Sequence, residues 1–129
     1  MKKLEVLVVD DEKDIYIATK LALKLLEYEG IDVTVSYSDS ATAAIQMIES
    51  NRYNLIFLDI IMETIHAGYK VIEYINKRCS HKEISIYVRS GKPGNIPDEY
   101  MSLINNIDGY IHKTDCTMDK LHEIVKSVI

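Results

Sequence analysis

The sequence predicts an α/β fold, in which a parallel sheet of five strands carries helices on both faces. Three observations predict it. Val6–Val9 and Leu55–Leu58 are short, uninterrupted apolar runs, as strands covered on both faces require. Between such runs, apolar residues recur at helical spacing. The two patterns alternate along the whole chain, and that alternation builds a right-handed parallel sheet.

The elements follow in order. After the first strand, Ala18, Leu21, Ala22 and Leu25 stand at i, i+3, i+4 and i+7 and predict the buried stripe of a first helix. Gly30 is its stop. Val33, Val35 and Tyr37 alternate with polar residues, which reads as a half-exposed edge strand. Ser38 to Ser40 offer N-caps to a second helix with Ala41, Ala44, Ile45 and Ile48 on its inner face. Leu55–Leu58 forms the third strand and ends in Asp59. Gly68 precedes a third helix lined by Val71, Ile72, Ile75 and Cys79. Ile84–Val88 is the fourth strand, and GKPGNIP, residues 91–97, is loop. A short helix runs from Pro97 to about Asn105, with acids in its first turn. Gly109–His112 is the fifth strand. Thr117 caps a last helix carrying Leu121, Ile124, Val125 and Val128.

A chain of 129 residues suits one domain, taken as residues 1–129. The composition, 47% hydrophobic and 27% charged, is that of a soluble globular protein. A net charge of −5 argues against direct nucleic-acid binding, which wants a basic face. No signal peptide and no spanning segment is visible, so a cytoplasmic protein without membrane contact is expected. Cys79 and Cys116 lack metal-ligand spacing and read as reduced packing residues. His66, His81, His112 and His122 read as surface or loop residues.

In open parallel sheets, ligands bind beyond the carboxyl ends of the strands. This sequence puts Asp10 and Asp11 after the first strand, Asp59 after the third, Arg89 and Ser90 at the fourth and Lys113 after the fifth. Taken singly, each has a bland reading as a cap, turn or surface residue. Jointly they make a cluster of three carboxylates, which calls for a cation. Hard oxygen ligands suit Mg²⁺, which keeps waters for a phosphate. No glycine-rich phosphate cradle follows the first strand. One aspartate can instead attack phosphorus and form an acyl phosphate, with Ser90 and Lys113 holding phosphoryl oxygens. Arg89 is either a salt-bridge partner near that site or a snorkelling side chain.

On Asp10–Asp11, Asp59 followed by Met62, Ser90, and Lys113 with Tyr110 three places before it, the chain resembles the response-regulator receiver domains of two-component signalling. The resemblance spans essentially the whole length. It implies a flavodoxin-like doubly wound sheet of order 2-1-3-4-5. It implies that Asp59 is the phosphoacceptor and that Asp11, Asp59 and the Ile61 carbonyl ligate Mg²⁺, with Asp10 supporting the metal through water. Ser90 and Lys113 bind the phosphoryl group, and Tyr110 follows Ser90 as the switch aromatic. Ile61 and Lys92 flank the path of the hydrolytic water and tune lifetime. The implied partners are a sensor histidine kinase or histidine phosphotransfer protein and an output domain or partner protein. The implied readout face is residues 97–129, which is also the expected surface of a homodimer. Such a domain is not an enzyme beyond catalysing its own phosphorylation and dephosphorylation.

Three departures stand out. Glu63 replaces the usual proline of D-x-x-M-P, Gly68 falls one place late, and Thr114 replaces the proline after the lysine. METIHAG, RSGKPGNIP and YIHKTD resemble a narrower branch found at the N-terminus of multidomain regulators with cyclic-dinucleotide or kinase modules. Two alternatives compete. A pseudo-receiver would bind proteins without being phosphorylated. A haloacid-dehalogenase-type phosphatase would use similar chemistry, but its nucleophile belongs in D-x-D on the first strand.

Overall fold

A strand with four apolar residues in a row has no face to give to water, and Val6, Leu7, Val8 and Val9 are all fully buried. The computed structural model describes residues 2–78, 84–90, 98–104 and 107–129. They form β1 (Lys2–Val9), α1 (Lys13–Lys24), a 3₁₀ stretch (Leu25–Glu29), β2 (Ile31–Ser38), α2 (Ala41–Ser50), β3 (Leu55–Leu58) and α3 (Ala67–Arg78). After these come β4 (Ser85–Ser90), a 3₁₀ turn (Asp98–Tyr100), α4 (Met101–Ile104), β5 (Gly109–His112), a 3₁₀ turn (Lys113–Asp115) and α5 (Met118–Val128). The five strands are parallel in the order β2-β1-β3-β4-β5, as expected.

Alternation along the strands divides the core into two layers. Leu7, Val9, Ile56, Leu58, Ile86 and Val88 pack against α2 and α3. Val6, Val8, Leu55, Phe57 and Ile111 pack on the other side with Leu23, Leu26, Leu121, Ile124 and Val125. The register pairs Val9 with Leu58, Leu58 with Val88 and Val88 with Tyr110. The residues that follow these positions therefore lie along one edge of the sheet. Among the described residues, no helix is long and apolar enough to cross a membrane.

Caps follow the sequence signals. Ser40 Oγ accepts from the Ala43 amide, and Thr117 Oγ1 accepts from Lys120. Gly30 ends the 3₁₀ stretch in the left-handed region, at φ 78°. The proposed loop at residues 91–97 and the start and end of the helix predicted from Pro97 to Asn105 lie outside the described residues. So do Cys79 and His81.

The first helix turns a different face inward from the one its apolar spacing suggests. Leu21 is 64% exposed and Leu25 44%, with Ala18 exposed as well, while Thr19, Leu23 and Leu26 are buried. The segment holds two overlapping apolar registers, and a threonine hides the one that wins. Thr19 Oγ1 donates to the Ile15 carbonyl at 2.7 Å and accepts from Arg89 Nη1 at 2.9 Å, so its hydroxyl is satisfied in the core. Arg89 is only 3% exposed and does not snorkel. Its guanidinium lies 4.8 Å from the Phe57 ring and 3.6 Å from Cys116 Sγ, and among the described residues it has no ion-pair partner.

Gly68 sits inside α3, as its second residue. A Cβ there would lie 2.4 Å from the Asp59 carbonyl oxygen and 2.6 Å from Ile60 Cα, so glycine lets α3 close onto the end of β3. Gly68→Ala is expected to cost about 1–3 kcal/mol in urea unfolding, because rigid backbone must move. A change within a few tenths of a kcal/mol would show that the approach is not tight.

Candidate functional site

The sheet edge brings the sequence-predicted acids together. Asp10, Asp11 and Asp59 each present a carboxylate oxygen within 4.8 Å of the others. Asp10 and Asp59 are buried, at 1% and 5% exposure, while Asp11 is exposed. Their positions are held by main chain. The Asp10 amide donates to Ser38 O at 3.0 Å and the Asp59 amide to Val9 O at 2.9 Å, which ties the ends of β1, β2 and β3 together.

Lys113 follows β5 and reaches back across this edge. Its Nζ lies 3.1 Å from Asp10 Oδ2, 3.0 Å from Glu12 Oε2 and 3.3 Å from Asp59 Oδ2. Glu12 thus joins the site through Lys113, and its side chain does not cap α1. The Lys113–Thr114 bond is trans, as all described peptide bonds are. Thr114 uses the amide that a proline would lack, donating to His112 Nδ1 at 3.3 Å. Ser90 is buried at the end of β4, and Tyr110 on β5 is 47% exposed. Ile61, in the loop after Asp59, is 48% exposed. Lys92 lies outside the described residues.

Electrostatics follow from crowding in a low-dielectric edge. Burial, then the Asp10 charge, pushes Asp59 up to about 6, against the pull of Lys113. Burial also raises Asp10, partly offset by the Glu12 amide and Lys113. Burial works against the Lys113 charge, yet Glu12, Asp10 and Asp59 more than offset it and raise its pKa.

The donor set fits a hard divalent cation. Asp10 Oδ2 is buried and accepts no hydrogen bond, although the lysine ammonium is near it. The three acids offer oxygen ligands on one side. Among the described residues the Ile61 carbonyl accepts no backbone hydrogen bond, while Ile60 O is used by the Gly68 amide.

Sequence reading missed several contacts here. Glu63 accepts from the Ala41 amide through both oxygens, at 2.9 and 3.0 Å, and from Thr42 at 3.3 Å. Burial raises its pKa, but these backbone donors outweigh it and hold the carboxyl below the usual Glu range. His66 lies against both Tyr69 and Tyr100, whose rings stack at 4.4 Å, joining the start of α3 to the turn before α4. His122 Nε2 is 2.6 Å from Ala22 O, linking α5 to α1, so His122 is a packed helix residue rather than a surface or loop one, whereas His66 does lie in the loop before α3. The one available signal was Glu63 itself, an acid where the resembling motif has proline.

Comparison with known proteins agrees with this geometry. The model of the response regulator receiver domain family matches residues 6–126. The chain is 29% identical over 125 residues to the 3'3'-cGAMP-specific phosphodiesterase 2 of Vibrio cholerae, covering 96% of this chain and 24% of that protein. It therefore spans about a quarter of that relative's length. A CheY-like receiver domain from Methylobacillus flagellatus superposes with a TM-score of 0.78 at 20% identity, covering 99% of this chain and 100% of that one. The response regulator TrrA of Thermotoga maritima, in complex with Mg²⁺ and BeF, gives 0.68 at 28% identity over the whole of both chains.

The cost of burying these acids has a sign that can be checked. Asp59 and Asp10 bind protons more tightly folded than unfolded, so they cost stability as pH rises from about 4 through 6. In EDTA, Asp59→Asn is expected to be more stable than wild type by about 1–3 kcal/mol at pH 7.5, with the gain fading below pH 5. Urea unfolding across pH measures it. An Asn variant less stable at pH 7.5 would mean that Lys113 fully compensates the buried charge.

Proposed function

The chain belongs to the response regulator receiver domain family, and from that premise we propose that it is a phosphoacceptor switch with Asp59 as the acceptor. The observation that carries this reading is the buried Asp59 carboxylate beside two further aspartates and within 3.3 Å of Lys113. A carboxylate oxygen of Asp59 forms a bond to phosphorus as the donor's P–N or P–O bond breaks. Asp11, Asp59 and the Ile61 carbonyl would hold Mg²⁺, with Asp10 supporting it through water, and the bound ion would supply charge neutralisation for the phosphoryl group. Lys113 neutralises charge on the acceptor side, and Ser90 takes a phosphoryl oxygen. Beyond catalysing its own phosphorylation and dephosphorylation, the domain turns over no substrate.

The donor we assign is a cytoplasmic sensor histidine kinase or histidine phosphotransfer protein. Ile17 and Leu21 on α1 and Leu25 just after it are exposed at i, i+4 and i+8, and Ile61 and Ile65 are exposed in the loop after Asp59. That apolar surface, which begins near the acids and runs along α1, suits a helix that carries the donor histidine. Ser90 and Tyr110 then bias the α4–β5–α5 face, where an output domain or partner protein reads the change. Likeness to a cyclic-dinucleotide phosphodiesterase over about a quarter of its length supports an output in that chemistry.

Intact mass after incubation with acetyl phosphate tests the reading. A single phosphoryl adduct is expected that requires Mg²⁺ and is absent in Asp59→Asn. No adduct under any condition would leave the pseudo-receiver. Lifetime gives a second check. Ile61 has no group to orient water, so Ile61→Asn is expected to shorten the phosphoryl half-life several-fold. An unchanged half-life would remove Ile61 from that role.

A further inference from the structure

The first four amides of a helix have no partner within it. In α2 the amides of its first three residues, Ala41, Thr42 and Ala43, are all taken by side chains. Ala43 donates to Ser40 Oγ at 3.1 Å, a local cap, and Ala44 opens the helix's own ladder by donating to Ser40 O at 3.0 Å. Ala41 and Thr42 donate instead to Glu63, which stands 22 and 21 residues away in the loop between β3 and α3. An anion there also meets the positive end of the helix dipole. This contact carries mechanical information, because each of its ends leads to the acid cluster. On one side, Glu63 lies in the same loop as Ile61, four residues from Asp59. On the other, Ser40 O accepts from Ser38 Oγ at 2.9 Å, and Ser38 O accepts the Asp10 amide at 3.0 Å.

We propose that Glu63 is a positioning residue, a latch that clamps the β3–α3 loop to the N-terminus of α2 and so fixes Asp59 and the Ile61 carbonyl relative to Asp10 and Asp11. A proline at this place would stiffen the loop by fixing its own φ. The carboxylate does so by tying the loop to a neighbouring helix. The latch rests on the receiver reading, since what it positions are the ligands proposed for Mg²⁺. Glu63 touches no reacting atom.

The test separates positioning from helix capping. Glu63→Ala removes both. Glu63→Ala with Thr42→Asp returns an acid to the exposed first turn of α2 without reconnecting the loop. Mg²⁺ affinity is measured by calorimetry, urea midpoint by circular dichroism, and Ala41 and Thr42 amide exchange by NMR. Glu63→Ala is expected to speed exchange of those amides and weaken Mg²⁺ binding roughly ten-fold, as loss of an outer-shell partner does. In the double variant the urea midpoint recovers while Mg²⁺ binding stays weak. Glu63→Gln, with one acceptor oxygen, falls between wild type and Ala. Equal Mg²⁺ affinity in wild type and Glu63→Ala overturns the latch alone, as does recovery of affinity together with the midpoint. A wild-type chain that takes no Mg²⁺ overturns the receiver reading and the latch with it.

Discussion

Two buried carboxylates forced into proximity are the constraint on which the site depends. Asp10 and Asp59 sit at the ends of adjacent central strands because the apolar runs before them must be buried, and the register of β1 and β3 places their ends level. Nothing in packing favours charges there. The fold tolerates them because Lys113 spans the edge from β5 and meets both acids and Glu12. Burial, and after it the Asp10 charge, still pushes Asp59 up to about 6 against the pull of that one cation. A domain that holds excess negative charge in a rigid, half-dry edge is poised to take a cation and then an anion that brings its own counter-ion.

A buried cation accompanies the two buried acids. Arg89 shares the strand end with Ser90 but turns to the opposite core layer, against Phe57, Thr19 and Cys116. Its field reaches Asp10, where it is the weakest of the influences that lower the acid's pKa. It forms no ion pair at the acid cluster among the described residues, so its local part is to fix Thr19 and thereby the rotation of α1. That rotation decides which apolar side chains remain outside. Leu21 and Leu25 face solvent because Thr19, Leu23 and Leu26 face the core.

How much was legible in the sequence follows from the same physics. Strand ends and the acid cluster were legible, because uninterrupted apolar runs ending in charge are rare and require burial, while the strand order came with the receiver resemblance. The caps at Ser40 and Thr117 were legible from local chemistry. The face of α1 was not, since a buried hydroxyl satisfied by an arginine 70 residues away leaves no trace in apolar spacing. Glu63 was visible only as a departure from a motif. Its partners lie on an element 21 and 22 residues earlier, and no periodicity connects them. Thr114 likewise gains meaning only from the His112 ring beside it.

The central claim is that the acid edge is held under repulsion that a divalent cation relieves. Its most direct test is the unfolding midpoint of the wild-type chain as Mg²⁺ is raised at pH 7.5, beside Asp11→Asn. A ligand that binds only the folded state stabilises it by RT ln(1 + [L]/Kd). The account predicts a midpoint that climbs with Mg²⁺ in wild type and much less in Asp11→Asn. A wild-type midpoint indifferent to Mg²⁺, or a rise equal in both chains, would contradict it.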